Sequence, residues 1–262
     1  MKELHFNYNM ELKFDSPIKQ HRFTLKCTPI SNCRQVILDL NIDVFPKEFL
    51  STDTDSFGNS CIYGYSEHEH DHFSVLVEGK AKAGLEIYEE ADYVYNAARY
   101  KYQTDYTKPG VALRQAYEAN LAGISGSSNF EKADKFMKYL YNNFEYVQGV
   151  TNIYTTAEEA FALGKGVCQD YSHILISFCR MAGIPARYVV GMLIGEGLSH
   201  AWVEVFSEEK WVALDPTNNL IVEDSHVKIS NGRDYKDCTI NKGMFTGHAN
   251  QIQQISVSVT EM

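Results

Sequence analysis

The sequence has no apolar run approaching the ~18 residues that span a bilayer, so no membrane-crossing helix is expected. It contains no Cys-x-x-Cys pair, which argues against a zinc ribbon. Its six cysteines, Cys27, Cys33, Cys61, Cys168, Cys179 and Cys238, have neither the density nor the pairing pattern of a disulfide scaffold. It also lacks a basic surplus: 34 acidic residues against 24 Lys and Arg leave a formal net charge of -10. Neutralising phosphates needs the opposite balance, so nucleic-acid binding is disfavoured, as is docking to an anionic membrane. No internal repeat or low-complexity tract is present. The opening stretch MKELHFNYNMELKFD alternates polar and apolar residues and lacks an apolar secretion segment, so the expected compartment is the cytoplasm.

What is present is enough apolar material, 44% of 262 residues, for one large domain or two ordinary ones. Up to about residue 85 the alternation rule predicts strands: the opening stretch, then RFTLKC (22–27), QVILDLNIDVF (35–45), NSCIYGY (59–65) and HFSVLVEGKAKAG (72–84). DTDSFGN (53–59) has the composition of a hairpin loop. From EIYEEADYVYNAARYKY (86–102) onward the pattern becomes helix-compatible, broken at TKPG (107–110) and GISGSSN (123–129). FEKADKFMKYLYNNFEYV (130–147) repeats Phe136, Leu140 and Phe144 every four residues, which predicts an amphipathic helix capped by Asn129. TTAEEAFAL (155–163) carries a capping box, Thr156 with Glu159. GKGVCQDYSHILISFCRMAGI (164–184) opens with glycines and continues as a buried helix to a stop at Gly183. YVVGMLI (188–194), HAWVEVF (200–206), KWVALDP (210–216) and QISVSVT (254–260) complete the expected strands. Helices segregated from an antiparallel sheet make an α+β domain, here preceded by a β domain.

Cys168 is the informative cysteine. It follows Gly164-Lys165-Gly166-Val167 and begins a helix, whose unpaired N–H groups and positive dipole end stabilise a thiolate. Cys179, mid-helix among Ile, Phe and Met, shows what an ordinary core cysteine looks like. A thiolate nucleophile needs a base and a group to orient that base. His200 opens one strand and Asp215 closes the next. A hairpin of even loop length centred between Glu208 and Glu209 puts Phe206 opposite Trp211 and Trp202 opposite Asp215. His200 and Asp215 then lie diagonally on one face, ~7–8 Å apart between backbones, within reach of a carboxylate–imidazole bond. Alone, His200 reads as a core histidine and Asp215 as a turn residue before Pro216. Together with Cys168 they define a candidate triad.

Residues 164–219, GKGVCQDYSHILISFCRMAGIPARYVVGMLIGEGLSHAWVEVFSEEKWVALDPTNN, resemble the catalytic core of bacterial transglutaminase-like proteins, relatives of animal transglutaminases and papain-type proteases. GVCQDYSH resembles the nucleophile motif, SHAWVEV the histidine motif and WVALDPTN the aspartate motif. GRDYKD (232–237) resembles a further motif, and the N-terminal β region with DSFGN resembles the domain that precedes this core. CTINKG (238–243) departs from the valine and proline usual there. The resemblance implies a papain/transglutaminase-like core of helices packed on an antiparallel sheet (88–262) after an all-β, sandwich-like domain (1–87). It implies acyl transfer through a thioester on peptide or glutamine amides, with Cys168, His200 and Asp215 as triad. The Cys168 N–H is the natural oxyanion donor. Gln169, Asp170, Arg233 and Asp234 are expected around the triad, and His173 as packing. Neither metal nor cofactor is implied, and the partner is a peptide or protein substrate. A hydrolase or protease is the first expectation, since nothing marks a lysine site. A cross-linking transamidase and a non-catalytic interaction module are the alternatives.

EHEHDHF (67–73) is the remaining conspicuous segment. His68, His70 and His72 share a face if the stretch is extended, but neighbours on one strand face stand ~6.6 Å apart, awkward for one tetrahedral ion. A solvated strand start is expected there.

Overall fold

The computed structural model describes residues 1–85, 97–124 and 128–262. The first strand, β1 (Lys2–Leu25), unites the opening stretch and the expected strand at 22–27. Leu4, Phe6, Tyr8, Met10, Leu12 and Phe14, every second residue, are buried, as pleated geometry requires. β2 (Gln35–Phe45), β3 (Phe49–Thr54), β4 (Ser60–Ser66) and β5 (His70–Ala83) follow. The expected loop 53–59 closes the β3–β4 hairpin, where the Asp55 carboxylate accepts the N–H groups of Phe57 and Asn59. Most of the helix-compatible segment 86–102, and part of the break at 123–129, lie outside the described residues.

The helical part comprises α1 (Val111–Ala116), α2 (Asn129–Asn143), β6 (Glu145–Tyr146), α3 (Ala157–Leu163), β7 (Lys165–Gly166) and α4 (Cys168–Met181). Ser128, not Asn129, caps α2: its hydroxyl accepts the Glu131 N–H, while the Asn129 side chain donates to the Phe206 carbonyl. Phe144 lies just past the helix in extended conformation, so the predicted helix was four residues too long. The Thr156–Glu159 capping box opens α3. A left-handed Gly183, φ 73°, follows α4.

The second half continues with β8 (Ala186–Leu193), β9 (Gly195–Gly197), β10 (His200–Ser207), β11 (Lys210–Asp215), β12 (Leu220–Ile221), β13 (His226–Gly232), β14 (Asn241–Thr246) and β15 (Gln251–Glu261). An antiparallel sheet runs β12-β11-β10-β8-β13. α2, α3 and α4 pack against it through Phe136, Leu140, Ala160, Leu175 and Phe178, and α4 is buried nearly throughout. Truncating one such ring, Phe178, would cost ~3–5 kcal/mol.

A second sheet is organised on β1. Its first half pairs with β5 and β15, and its second half, beyond a register shift after Lys13, pairs with β4 and β14. Side chains of both halves meet in one core, which Met192, Val227 and Ile229 of the other sheet also enter. The fold is therefore α+β, a helix-covered antiparallel sheet joined to an N-terminal β region. The division expected at 87/88 follows the sequence motifs, whereas the sheets divide the chain differently. β14 and β15 return to β1 and complete the N-terminal sheet. Among the described residues no helix is long and apolar enough to cross a membrane.

Candidate active site

The sulfur of Cys168 stands at the start of α4, half-buried, where the dipole of a 14-residue helix ends. The turn that presents it is clamped from behind. Asp170 Oδ2 accepts the Val167 N–H at 2.8 Å and the Thr151 hydroxyl at 2.7 Å. Burial pushes the Asp170 carboxyl up, and these two bonds oppose that rise. Gly166 makes the clamp possible, because a Cβ there would lie 2.4 Å from Asp170 Oδ2. Gln169 reaches the Ile153 carbonyl at 3.4 Å and so ties the same loop to the helix. First-turn N–H groups have no acceptor within a helix, which leaves those of Cys168 and Gln169 as donors for a substrate oxygen.

The β10–β11 hairpin brings up the other two residues. Glu208 and Glu209 both have positive φ, 51° and 63°, so a two-residue turn of the primed kind joins the strands. Phe206 consequently pairs with Trp211, the register predicted from loop parity. His200 Nε2 then lies 2.8 Å from Asp215 Oδ2. The other ring nitrogen is not engaged by Asp215, and Cys168 and His200 interact electrostatically. Burial works against a charged ring, but Asp215 and Cys168 outweigh it and raise the His200 pKa to about 10. The balance favours the charged ring. Asp215 is fully buried, which would favour its neutral form. The hydrogen bonds from His200 and His226, the His200 charge and Asn218 hold it well below the usual carboxylate range.

His226, at the start of β13, was not anticipated. Its Nε2 stands 3.3 Å from Asp215 Oδ2 and its Nδ1 2.9 Å from the Ser225 hydroxyl. Asn218 adds a side-chain N–H to Oδ2 at 2.7 Å, and the backbone N–H groups of Thr217 and Asn218 bind Oδ1. Trp202 packs beside both imidazoles, 6.4 Å from His200 and 5.0 Å from His226 between ring centres. Its ring passes over Gly191, where a Cβ would lie 2.4 Å from it.

The other residues named from sequence have different surroundings. Asp170 and Gln169 build the turn beneath Cys168, as above. The Arg233 side chain pairs with Asp237, and Asp234 caps the short turn at 235–238. Neither makes a hydrogen bond to Cys168, His200 or Asp215 among the described residues; their segment touches α4 through backbone groups instead. The Arg233 carbonyl accepts from Arg180, and the Tyr235 N–H donates to His173 Nε2. His173 is fully buried between Tyr106 and Tyr188. His68 pairs with Glu48, and His70 with His21 of β1, so the histidines of 68–72 turn to separate partners. Among the described residues one group has metal-compatible spacing: the ring nitrogens of His200 and His226 and a carboxylate oxygen of Asp215 lie within 4.8 Å of one another. These atoms already share N–H···O bonds.

The sequence profile of the transglutaminase-like superfamily matches residues 115–216, and that of the bacterial transglutaminase-like N-terminal region matches residues 4–82. The chain thus carries a transglutaminase-like superfamily core and a bacterial transglutaminase-like N-terminal region. An uncharacterized protein of Mycobacterium leprae is 30% identical over 135 residues, 48% of each chain. One of Mycobacterium tuberculosis is 33% identical over 137 residues, 46% of this chain and 44% of the relative. The chain spans about half the length of these relatives. The crystal structure of a proposed cysteine protease from Cytophaga hutchinsonii aligns with a TM-score of 0.82 and 22% identity. It covers 100% of this chain and 91% of that one, which establishes the shared fold.

Proposed function

We propose that this protein is a cysteine-nucleophile acyl-transfer enzyme that hydrolyses peptide or glutamine-side-chain amides through a thioester. The observation that supports the reading is that Asp215 holds one nitrogen of His200 while Cys168 and His200 interact electrostatically. The Cys168 thiolate attacks the amide carbonyl carbon and forms a C–S bond. The carbonyl oxygen takes the negative charge against the N–H groups of Cys168 and Gln169. The C–N bond then breaks, and the amine leaves with the proton given up by His200. Neutral His200 next takes a proton from water as its oxygen attacks the thioester carbonyl. The C–S bond breaks, the acid is released, and the thiolate–imidazolium pair is restored. Throughout, Asp215 keeps the ring in one tautomer and stabilises its charge. No metal or cofactor enters this scheme.

The test is a peptide-library digest with and without an added amine, run on the parent and on Cys168→Ala. The parent should release carboxylic acids in both conditions, and the variant, folded normally, should release none. Turnover by Cys168→Ala at the parental rate would sink the mechanism. Amide products replacing acids whenever amine is present would reassign the acceptor to an amine.

A further inference from the structure

We propose that His226 is a positioning residue for the triad: its Nε2–H shares Asp215 Oδ2 with His200, and through that oxygen it limits how tightly Asp215 holds the His200 proton. The inference rests on the functional reading above and adds a fourth residue to it. Three N–H donors converge on Oδ2, from His200 at 2.8 Å, Asn218 at 2.7 Å and His226 at 3.3 Å. Asn218 and two backbone N–H groups already fix where the carboxylate sits, so His226 is not needed to place it. What the third donor changes is electron density: each N–H on a carboxylate oxygen makes that oxygen a weaker acceptor for the others.

His226 is built for this part. Its side chain is 1% exposed, and burial holds its pKa down against the pull of Asp215. It therefore stays neutral and adds no charge to the site. The Asp215 carboxylate, which can only accept, places the proton on Nε2, and the Ser225 hydroxyl then donates to Nδ1. The titratable groups facing this block are Cys168 from α4, His200 from β10, Asp215 from β11 and His226 itself from β13. An acid that must protonate a leaving amine works best when its proton is not held too strongly. A second donor on the orienting carboxylate moves His200 in that direction.

The experiment follows the His200 imidazole by nitrogen-15 NMR across pH, alongside kcat and KM, in the parent, His226→Phe and His226→Gln. Phe keeps a ring and removes the donor, whereas Gln returns an N–H at similar reach. In His226→Phe the His200 titration should move up by about one pH unit, the fraction of a charged hydrogen bond that passes through the shared oxygen. kcat should fall about 3- to 10-fold with KM unchanged, and Gln should restore both. Ser225→Ala, which removes the donor at His226 Nδ1 and so makes its Nε2–H a weaker donor, should shift His200 in the same direction by less, and it decides the matter if the Phe variant does not fold. An unmoved His200 titration in Phe or in Ser225→Ala, or an equal shift in Gln, would overturn the proposal. The NMR readout needs no substrate, so a parent without turnover counts against the enzymatic reading and leaves this one to be judged by its own signal.

Discussion

Replacing Asp215 by Asn is the most informative single change. The rise of the His200 pKa from 6.5 to about 10 corresponds to about 5 kcal/mol in favour of the charged ring. Asp215 and Cys168 supply that preference together against burial. Asn keeps an oxygen for the N–H groups of Thr217 and Asn218, so the loop after β11 retains its bonds. The amide nitrogen then faces His200 Nε2, and two N–H groups cannot share that line. The imidazole gives up its Nε2 proton, keeps the one on the other nitrogen and becomes neutral. It can neither pair with a thiolate nor accept a proton from the incoming water. Turnover should fall about 10³- to 10⁴-fold, less than on removal of the sulfur, while the orphaned His226 and Asn218 donors should lower the unfolding free energy by about 2–5 kcal/mol. kcat/KM measured from pH 5 to 9, with urea melts of the same samples, separates the two effects. Asp215→Asn within about tenfold of the parent would show that the carboxylate does not orient the ring.

The remaining predictions concern the other thiols and histidines. Burial pushes Cys27 and Cys179 up to about 12 and raises Cys61, whereas Cys168 has a cationic His200 beside it. Iodoacetamide at about pH 6 should therefore label Cys168 selectively, and His200→Ala should slow that labelling about tenfold; peptide mapping that finds Cys61 labelled equally would contradict the pair. Burial lowers the His21 pKa to about 4 and that of His173 to about 3. Both rings fold neutral, so their stability contribution is whole above the unfolded value near 6.5 and is lost as pH falls toward 4 and 3. At pH 5 the loss should be about 2 kcal/mol for each, read as a lower urea midpoint than at pH 7.5, and His21→Phe should remove part of the difference; equal midpoints in the parent would refute the assignment.

The parts of the site that sequence could reach are those set by local rules. An even loop between His200 and Asp215 fixes parity, and parity fixes the shared face. Glycines before Cys168 announce a helix start, and Thr156 with Glu159 announces another. Where two caps were available one residue apart, the choice between Ser128 and Asn129 turned on a tertiary partner, the Phe206 carbonyl. β13 and β14 are short and rich in polar residues, and their pairing depends on strands distant in the chain. His226 was invisible for the same reason. Nothing near it in sequence marks Asp215 as its partner, and its position depends on the pairing of β13 with β8.

That dependence gives the N-terminal region a physical part in the site. β13 is an edge strand, and the groups it leaves unpaired are taken up by two amide side chains from the β region. Gln35 accepts the Lys228 N–H and donates to the Lys228 carbonyl, both at 2.8 Å. Asn59 does the same for Asn231, at 2.7 Å and 2.8 Å. Each amide thus copies the bonds a neighbouring strand would make. Asn59 is itself held by Asp55, within the DSFGN turn. Ile229, between the two clamps, and Val227, just before them, sink into the core shared with β1, which fixes the strand that begins with His226. The register of β13, and with it the third donor on Asp215, therefore depends on residues from the first quarter of the chain.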